Sequence, residues 1–170
     1  MKRDFIETEI WLLTIGGGFQ RANVYINGAT GKERLEFRNK LHDVVIKIAA
    51  EYKDTVSEAR HIDNIKQVSN LKHSALNNSC MNFGISQKIL NLYLKYLWCL
   101  GEIPTPPHFP VDRIIQQKLK ITPVISWTQI DSPEKYMQII EHAHAKRQAD
   151  KIYKSIAEQE LALFKRSSQD

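Results

Sequence analysis

The residues best suited to do chemistry lie on one face of a single predicted helix. The segment 85–100 reads ISQKILNLYLKYLWCL and is apolar almost all round, which is typical of a central, buried helix. At 100° per residue, Lys88 and Lys95 fall within about 20° of each other, with Asn91 beside them. If this stripe faces a pocket, desolvation and mutual repulsion lower an ammonium pKa, and a neutral lysine is a nucleophile that forms Schiff bases. If it faces water, the lysines extend their ammonium groups into solvent.

A second candidate follows in a proline-rich connection. The central helix is predicted to end at Gly101, and the prolines of residues 104–110 then impose an extended chain. A short helix follows over 111–119, with Asp112 in its first turn, where a carboxylate stabilises the positive end of the helix dipole. An Asp112 that faced Lys88 would instead be an acid–base or electrostatic partner. His108 is a candidate for the same pocket, although a lone histidine is more often structural.

The remaining patterns predict a mainly helical protein. Helical spacing of apolar residues covers 32–52, 55–71 and 131–164, the last with a break near 148–150. A capping-box spacing, Thr55 to Glu58, opens the second of these helices. The apolar segment 5–15 fits either a short helix or a buried strand.

Two glycine-containing stretches near the N-terminus complete the expected organisation. Gly16–Gly18 end the first apolar segment and indicate a flexible connector, and the run 24–28 predicts a short extended piece with a turn. The expected fold is therefore all-α. Residues 1–170 form a single compact domain of five to six helices around 85–100, with at most a minor N-terminal strand pair.

Composition excludes several classes of protein. The 170 residues are 42% hydrophobic and 25% charged, which is ordinary for one globular domain and excludes a disordered chain or a collagen. No apolar run reaches the roughly 18 residues that span a bilayer, and the N-terminus has no apolar signal core, so a cytoplasmic location without a membrane partner is expected. Cys80 and Cys99 fit a reducing compartment. Together with His108 their spacing matches no zinc motif, so neither a metal ion nor a cofactor is predicted.

The charge permits a polyanionic partner. The net charge is +5, and the two halves of the chain carry 12 basic residues each against 10 and 9 acidic ones. The excess of basic residues is therefore not concentrated in a charged tail, and a basic surface would form only when the chain folds.

The residues from Asn82 to Lys88, followed by Pro110-Val111-Asp112, resemble the central motif of helix-hairpin-helix DNA glycosylases. The similarity is greatest to the branch of 8-oxoguanine glycosylases with AP lyase activity. That family has hydrophobic-Pro-Gly-hydrophobic-Gly-x-Lys and, about twenty residues later, Pro-hydrophobic-Asp. Gly84, Lys88 and Asp112 match these positions, whereas Phe83 replaces the proline and Ser86 the second glycine. The resemblance covers residues 65–115, which would form the hairpin-helix core.

The resemblance implies excision of a damaged or modified base from double-stranded DNA. An extruded nucleotide is attacked at the sugar C1′ by Lys88, while Asp112 stabilises the positive charge on the sugar. The pocket would include Asn91 and His108. The residues expected to contact DNA are Gly84, Ser86, Lys95, Arg113, Lys118 and Lys120.

Two alternatives stay open on the sequence. The same stretch is also similar to a group of bacterial proteins with a Gln-Lys-hydrophobic-hydrophobic-Asn core, here residues 87–91, to which no activity is assigned. A second hypothesis is that the chain is a non-catalytic helical module that binds nucleic acid or a protein partner. A third hypothesis is a small helical protein that interacts with other proteins and binds no polyanion.

Overall fold

A computed structural model describes residues 1–164 and confirms the all-α fold. Over this range there are seven α-helices rather than five or six, together with short 3-10 turns at Ala50–Lys53, Asn77–Ser79 and Trp127–Gln129. The helices are α1 (Lys2–Phe19), α2 (Gly31–Ala49), α3 (Glu58–Ser69), α4 (Phe83–Cys99), α5 (Arg113–Lys118), α6 (Pro133–Asp150) and α7 (Ile156–Leu163). In the described chain, the predicted strand pair is reduced to one antiparallel bridge between Tyr25 and Leu76. No described helix is long and apolar enough to cross a membrane.

Helix α4 lies at the centre and packs against α1 and α3. The side chain of Asn82 caps its start by accepting a hydrogen bond from the Ile85 N–H, and Gly101 follows its end with a left-handed φ of 76°. The predicted burial is confirmed for three leucine and isoleucine side chains on its inner faces: Ile89, Leu90 and Leu94.

Leu97 is only half-buried, contrary to expectation. It borders a cavity of about 590 Å³ together with Ile6 and Ile10 of α1. The last turns of α4 are therefore covered less completely than the middle of the helix.

Truncating the middle of α4 should destabilise the protein strongly. Leu94 has no exposed surface, so Leu94→Ala should lower the free energy of unfolding by about 2–5 kcal/mol, because it loses burial and leaves a cavity. Urea denaturation measures this change. The matched control is Leu100→Ala, because Leu100 is half-exposed and should matter little. A cost below about 1 kcal/mol for Leu94→Ala would contradict a central α4.

The first helix differs from the sequence prediction. Helix α1 continues through Gly16–Gly18, which are therefore not a flexible connector. A Cβ on Gly18 would lie 2.2 Å from Ile89 Cδ1, and one on Gly17 would lie 2.9 Å from Leu92 Cδ1. The absence of side chains lets α1 approach α4 closely, and this packing stabilises a helix that glycine alone disfavours.

Other helix ends also shift. Ser57 rather than Thr55 caps α3, since its hydroxyl accepts from the Arg60 N–H. The predicted C-terminal helix is two helices, because Lys151 has a left-handed φ of 52° and ends α6. The last six residues of the predicted domain, 165–170, lie outside the described residues.

Candidate functional site

The lysine stripe of α4 is buried and does not face water. The exposed fractions of Lys88, Asn91 and Lys95 are 7%, 1% and 8%. The Nζ of Lys88 lies 3.9 Å from Oδ2 of Asp112. The two residues that the sequence singled out for chemistry therefore meet in the folded chain.

Asp112 is held in place by the start of α5. Its Oδ1 accepts a hydrogen bond of 3.0 Å from the Ile115 N–H and caps that helix, while Oδ2 points to Lys88. The capping role and the pairing role, which the sequence left as alternatives, are thus filled by the two oxygens of one carboxylate.

Gln87 fastens the Asp112 segment to α4. Its Nε2 donates to the Val111 carbonyl at 2.8 Å, and its Oε1 accepts from the Val111 N–H at 3.1 Å. This double hydrogen bond fixes the residue before Asp112 against the residue before Lys88. Sequence analysis missed Gln87, although a glutamine on an otherwise apolar, buried helix is itself a signal, since a buried amide needs partners.

Trp127 covers the amine of Lys88. The Nζ lies 3.8 Å from the centre of the indole ring, a cation–π contact. Trp127 is held in a 3-10 turn beside Thr128, whose carbonyl accepts from Asn82 Nδ2 at 2.6 Å. The tryptophan therefore belongs to the surroundings of the amine.

Burial lowers the pKa of Lys88. The negative charge of Asp112 opposes this shift and raises the pKa, and the positive charge of Arg21 lowers it further. The neighbouring cation is therefore Arg21 and not Lys95, as the stripe had suggested. A lysine whose pKa is lowered gives up its proton more readily than an ordinary lysine, and the neutral amine is the form that attacks an electrophilic carbon.

The two expected pocket residues lie in a hydrogen-bonded network rather than in an open cleft. Asn91 Nδ2 donates to Gln87 Oε1 at 3.2 Å and to the Tyr136 hydroxyl at 3.0 Å. The same hydroxyl lies 3.1 Å from His108 Nδ1. The Tyr136 hydroxyl therefore joins Asn91 to His108.

Lys95 does not reach toward solvent. Its Nζ donates to both carboxylate oxygens of Glu160 in α7, at 2.7 and 2.9 Å, and both side chains are buried. This corrects the expectation that Lys95 contacts DNA, because its charge is already neutralised inside the protein.

Breaking the Lys95–Glu160 pair should destabilise the fold. Lys95→Gln leaves a buried carboxylate without its cation, and a loss of about 3 kcal/mol is expected. Burial already raises the pKa of Glu160, and the lysine opposes that rise, so in the variant the pKa rises further. The destabilisation should therefore grow as pH increases through this pKa and shrink in acid. Thermal unfolding of the variant and the wild type across a range of pH measures this destabilisation.

Lys135→Gln is the control, because it breaks an exposed pair with Asp131 and should cost little. Equal stability of Lys95→Gln and wild type at neutral pH would contradict the pairing.

The expected hairpin is instead the buried first turn of α4. The Gly84 N–H donates to the Ile130 carbonyl at 2.7 Å, and the Ser86 hydroxyl donates to the Asn82 carbonyl at 2.9 Å. Both residues are buried. This corrects the expectation that Gly84 and Ser86 contact DNA, because their donors are occupied by the protein.

The other three basic residues predicted to contact DNA lie on and just beyond α5. Arg113 and Lys120 are exposed, and Lys118 is half-buried with its Nζ donating to the Leu163 carbonyl at 2.6 Å. Arg113 and Lys120 thus remain free to attract phosphate in this part of the molecule.

A cavity of about 420 Å³ lies beside the first turn of α4. Its lining includes Asn82, Ile85 and Thr128. Ile85 lies on α4 one turn before Lys88, and Thr128 adjoins the Trp127 that covers the amine. The fold and site together define an all-helical protein in which a buried lysine faces a partly exposed carboxylate. No family model, curated protein or solved structure matches the chain significantly.

Proposed function

We propose that this protein acts on duplex DNA as a glycosylase with AP lyase activity. Lys88 is the amine nucleophile and Asp112 is its electrostatic partner. The observation that carries the proposal is the 3.9 Å separation of Lys88 Nζ and Asp112 Oδ2. These are the two residues to which the motif resemblance assigns the chemistry.

The proposed reaction uses the neutral amine. Lys88 Nζ forms a bond to the sugar C1′, the bond from C1′ to the base breaks, and the leaving base takes up the proton that the attacking amine gives up. The C1′–O4′ bond then breaks while O4′ takes up a proton from water, which gives a protonated imine. Loss of a C2′ proton to water then breaks the bond from C3′ to its oxygen, and the phosphate leaves with the downstream strand. Asp112 stabilises the positive charge that develops on the sugar.

Access to the amine requires a local rearrangement. Only 9% of the Lys88 side chain is exposed, and the Trp127 ring covers its Nζ. An extruded nucleotide would displace this ring from the cavity side, where Thr128 and Ile85 lie. Exposed Arg113, which directly follows Asp112, supplies a phosphate contact near the reacting carbon.

Borohydride trapping tests the proposal. The protein is incubated with duplex DNA that contains an abasic site or an oxidised base, and borohydride reduces any imine to a stable amine. A covalent protein–DNA adduct supports the proposal. If no adduct forms with either duplex, the enzyme assignment fails. Salt-dependent duplex binding would then favour the non-catalytic nucleic-acid module, and an absence of binding would favour a protein partner.

Asp112→Asn should separate chemistry from folding. Asparagine keeps the oxygen that caps α5 but removes the charge beside Lys88. Base release should slow by about 100-fold, because the carboxylate acts on charge that develops in the transition state, while duplex binding stays unchanged. Since Asp112 raises the pKa of Lys88, the pH profile of adduct formation with an abasic duplex should shift to lower pH. Single-turnover rates across pH measure both effects, and an unchanged rate and profile would contradict the pairing.

A further inference from the structure

Three groups that commonly bind metal ions meet at a second place in the fold. Glu58 is the first residue of α3, His108 lies in the proline-rich connection and His144 lies in α6. One carboxylate oxygen and one nitrogen from each imidazole lie within 4.8 Å of one another. None of these residues takes part in the proposed lysine chemistry.

The spacing is close to that of a coordination shell. Glu58 Oε1 lies 3.3 Å from His108 Nε2 and 2.7 Å from His144 Nε2. Ligands on a tetrahedral Zn²⁺ with bonds of about 2.0–2.1 Å are about 3.3 Å apart. The two imidazole nitrogens lie within 4.8 Å of each other, so they would need to approach by at most about 1.5 Å to reach that separation. His144 can supply this movement, because a third of its side chain is exposed.

His108 is already oriented as a ligand. It is 1% exposed, and its Nδ1 pairs with the Tyr136 hydroxyl, which directs Nε2 toward Glu58. The His61 ring packs edge-on against it with centroids 4.7 Å apart. A hydrogen bond to the second ring nitrogen is the usual support of a metal-binding histidine. Burial also lowers the pKa of His108, which favours the neutral imidazole that binds metal.

We propose that Glu58, His108 and His144 bind one divalent transition-metal ion of the Zn²⁺ class. Two imidazoles and one carboxylate suit such an ion, whereas Mg²⁺ and Ca²⁺ prefer oxygen ligands alone. Because the Glu58 side chain is 47% exposed, water reaches the site and completes the coordination. Sequence analysis predicted no metal ion, since no spacing of neighbouring residues signals a cluster whose members are 50 and 86 positions apart.

Titration of chelator-treated protein with zinc chloride tests this proposal. Calorimetry should show one site per chain, and Glu58→Gln and His144→Gln should each weaken binding by at least about tenfold. Both side chains are partly exposed, so these variants should fold, and circular dichroism checks that they do. His142→Gln is the matched control, because His142 lies on the same helix but pairs with the Leu119 carbonyl instead. It should bind Zn²⁺ like the wild type.

Cobalt(II) supplies an independent readout. Loading the protein with Co²⁺ should produce visible absorption bands that both cluster variants lose and the control keeps. The proposal is overturned if the wild type binds neither ion, or if either folded cluster variant binds as tightly as the wild type. Metal binding is measured without DNA, so its outcome is distinguishable from that of the trapping experiment.

Discussion

Lys88→Gln should abolish the borohydride-trapped adduct with abasic duplex DNA. Glutamine has a similar length and fills the space beside Trp127 and Asp112, but an amide nitrogen forms no imine. The yield of adduct should fall by about 10³-fold or more, as expected when the nucleophile itself is removed. Gel electrophoresis of the reduced reaction measures the covalent product directly.

This variant should still fold. Burial disfavours the charged form of Lys88, so removing the ammonium removes an unfavourable burial. Asp112 keeps its hydrogen bond from the Ile115 N–H, and 28% of its side chain is exposed to water. The circular dichroism spectrum should therefore match that of the wild type.

Lys32→Gln is the control for unspecific reaction of a surface amine. Lys32 is exposed in the first turn of α2 and is not among the residues proposed to contact DNA, so its loss should leave the adduct intact. If Lys88→Gln formed the adduct at the wild-type rate, another amine would be the nucleophile and the proposed site would be wrong.

Gly84→Ala should have the largest effect on stability. A Cβ at this position would lie 1.8 Å from the Trp127 carbonyl oxygen and 2.9 Å from the Ile130 side chain. The clashing Trp127 atom belongs to the backbone, and the Gly84 N–H is hydrogen-bonded to the Ile130 carbonyl. Neither α4 nor the 127–130 segment can therefore move away without a large loss of free energy. We expect a loss of about 4 kcal/mol or more, a large share of the stability of a typical domain. Urea denaturation monitored by circular dichroism measures it.

Gly16→Ala is the matched control within a helix. Gly16 is an exposed position of α1, and a Cβ there meets no atom within 4 Å. Alanine should stabilise this helix by about 0.5–1 kcal/mol. A cost below about 1 kcal/mol for Gly84→Ala would mean that residues 127–130 do not approach α4 closely. The position of Trp127 over Lys88 would then be wrong as well.

The local pattern of the sequence determined the helices and several of their ends. The segment 85–100 is apolar almost all round, which predicts the burial found in the middle turns of α4. Gly101 ends the helix because a left-handed residue is needed there. Ser132 and Pro133 start α6 for equally local reasons. Such signals depend on hydrogen bonds and steric contacts between residues a few positions apart.

Glycine marks the limit of this local reasoning. Gly17 and Gly18 predict a flexible connector, because glycine by itself disfavours a helix. In the folded chain their missing side chains let α4 pack closely against α1. The motif resemblance predicts that Gly84 contacts DNA, but its missing side chain instead makes room for the backbone of residues 127–130. In both cases the deciding contact comes from a segment that is distant in the chain.

The candidate site divides in the same way. Sequence analysis named Lys88 and Asp112 as candidates, because the stripe on α4 and the proline-fixed start of α5 each carry a recognisable signal, but it left the pairing and the capping role of Asp112 as alternatives. The tertiary structure brings the two side chains together. Only the tertiary structure gave Lys95 its partner, Glu160, 65 positions away. It alone also placed Trp127 over the amine and joined Glu58 to His108 and His144. The physical reason is that helix formation follows from neighbouring residues, whereas the partner of a buried charge depends on the path of the whole chain.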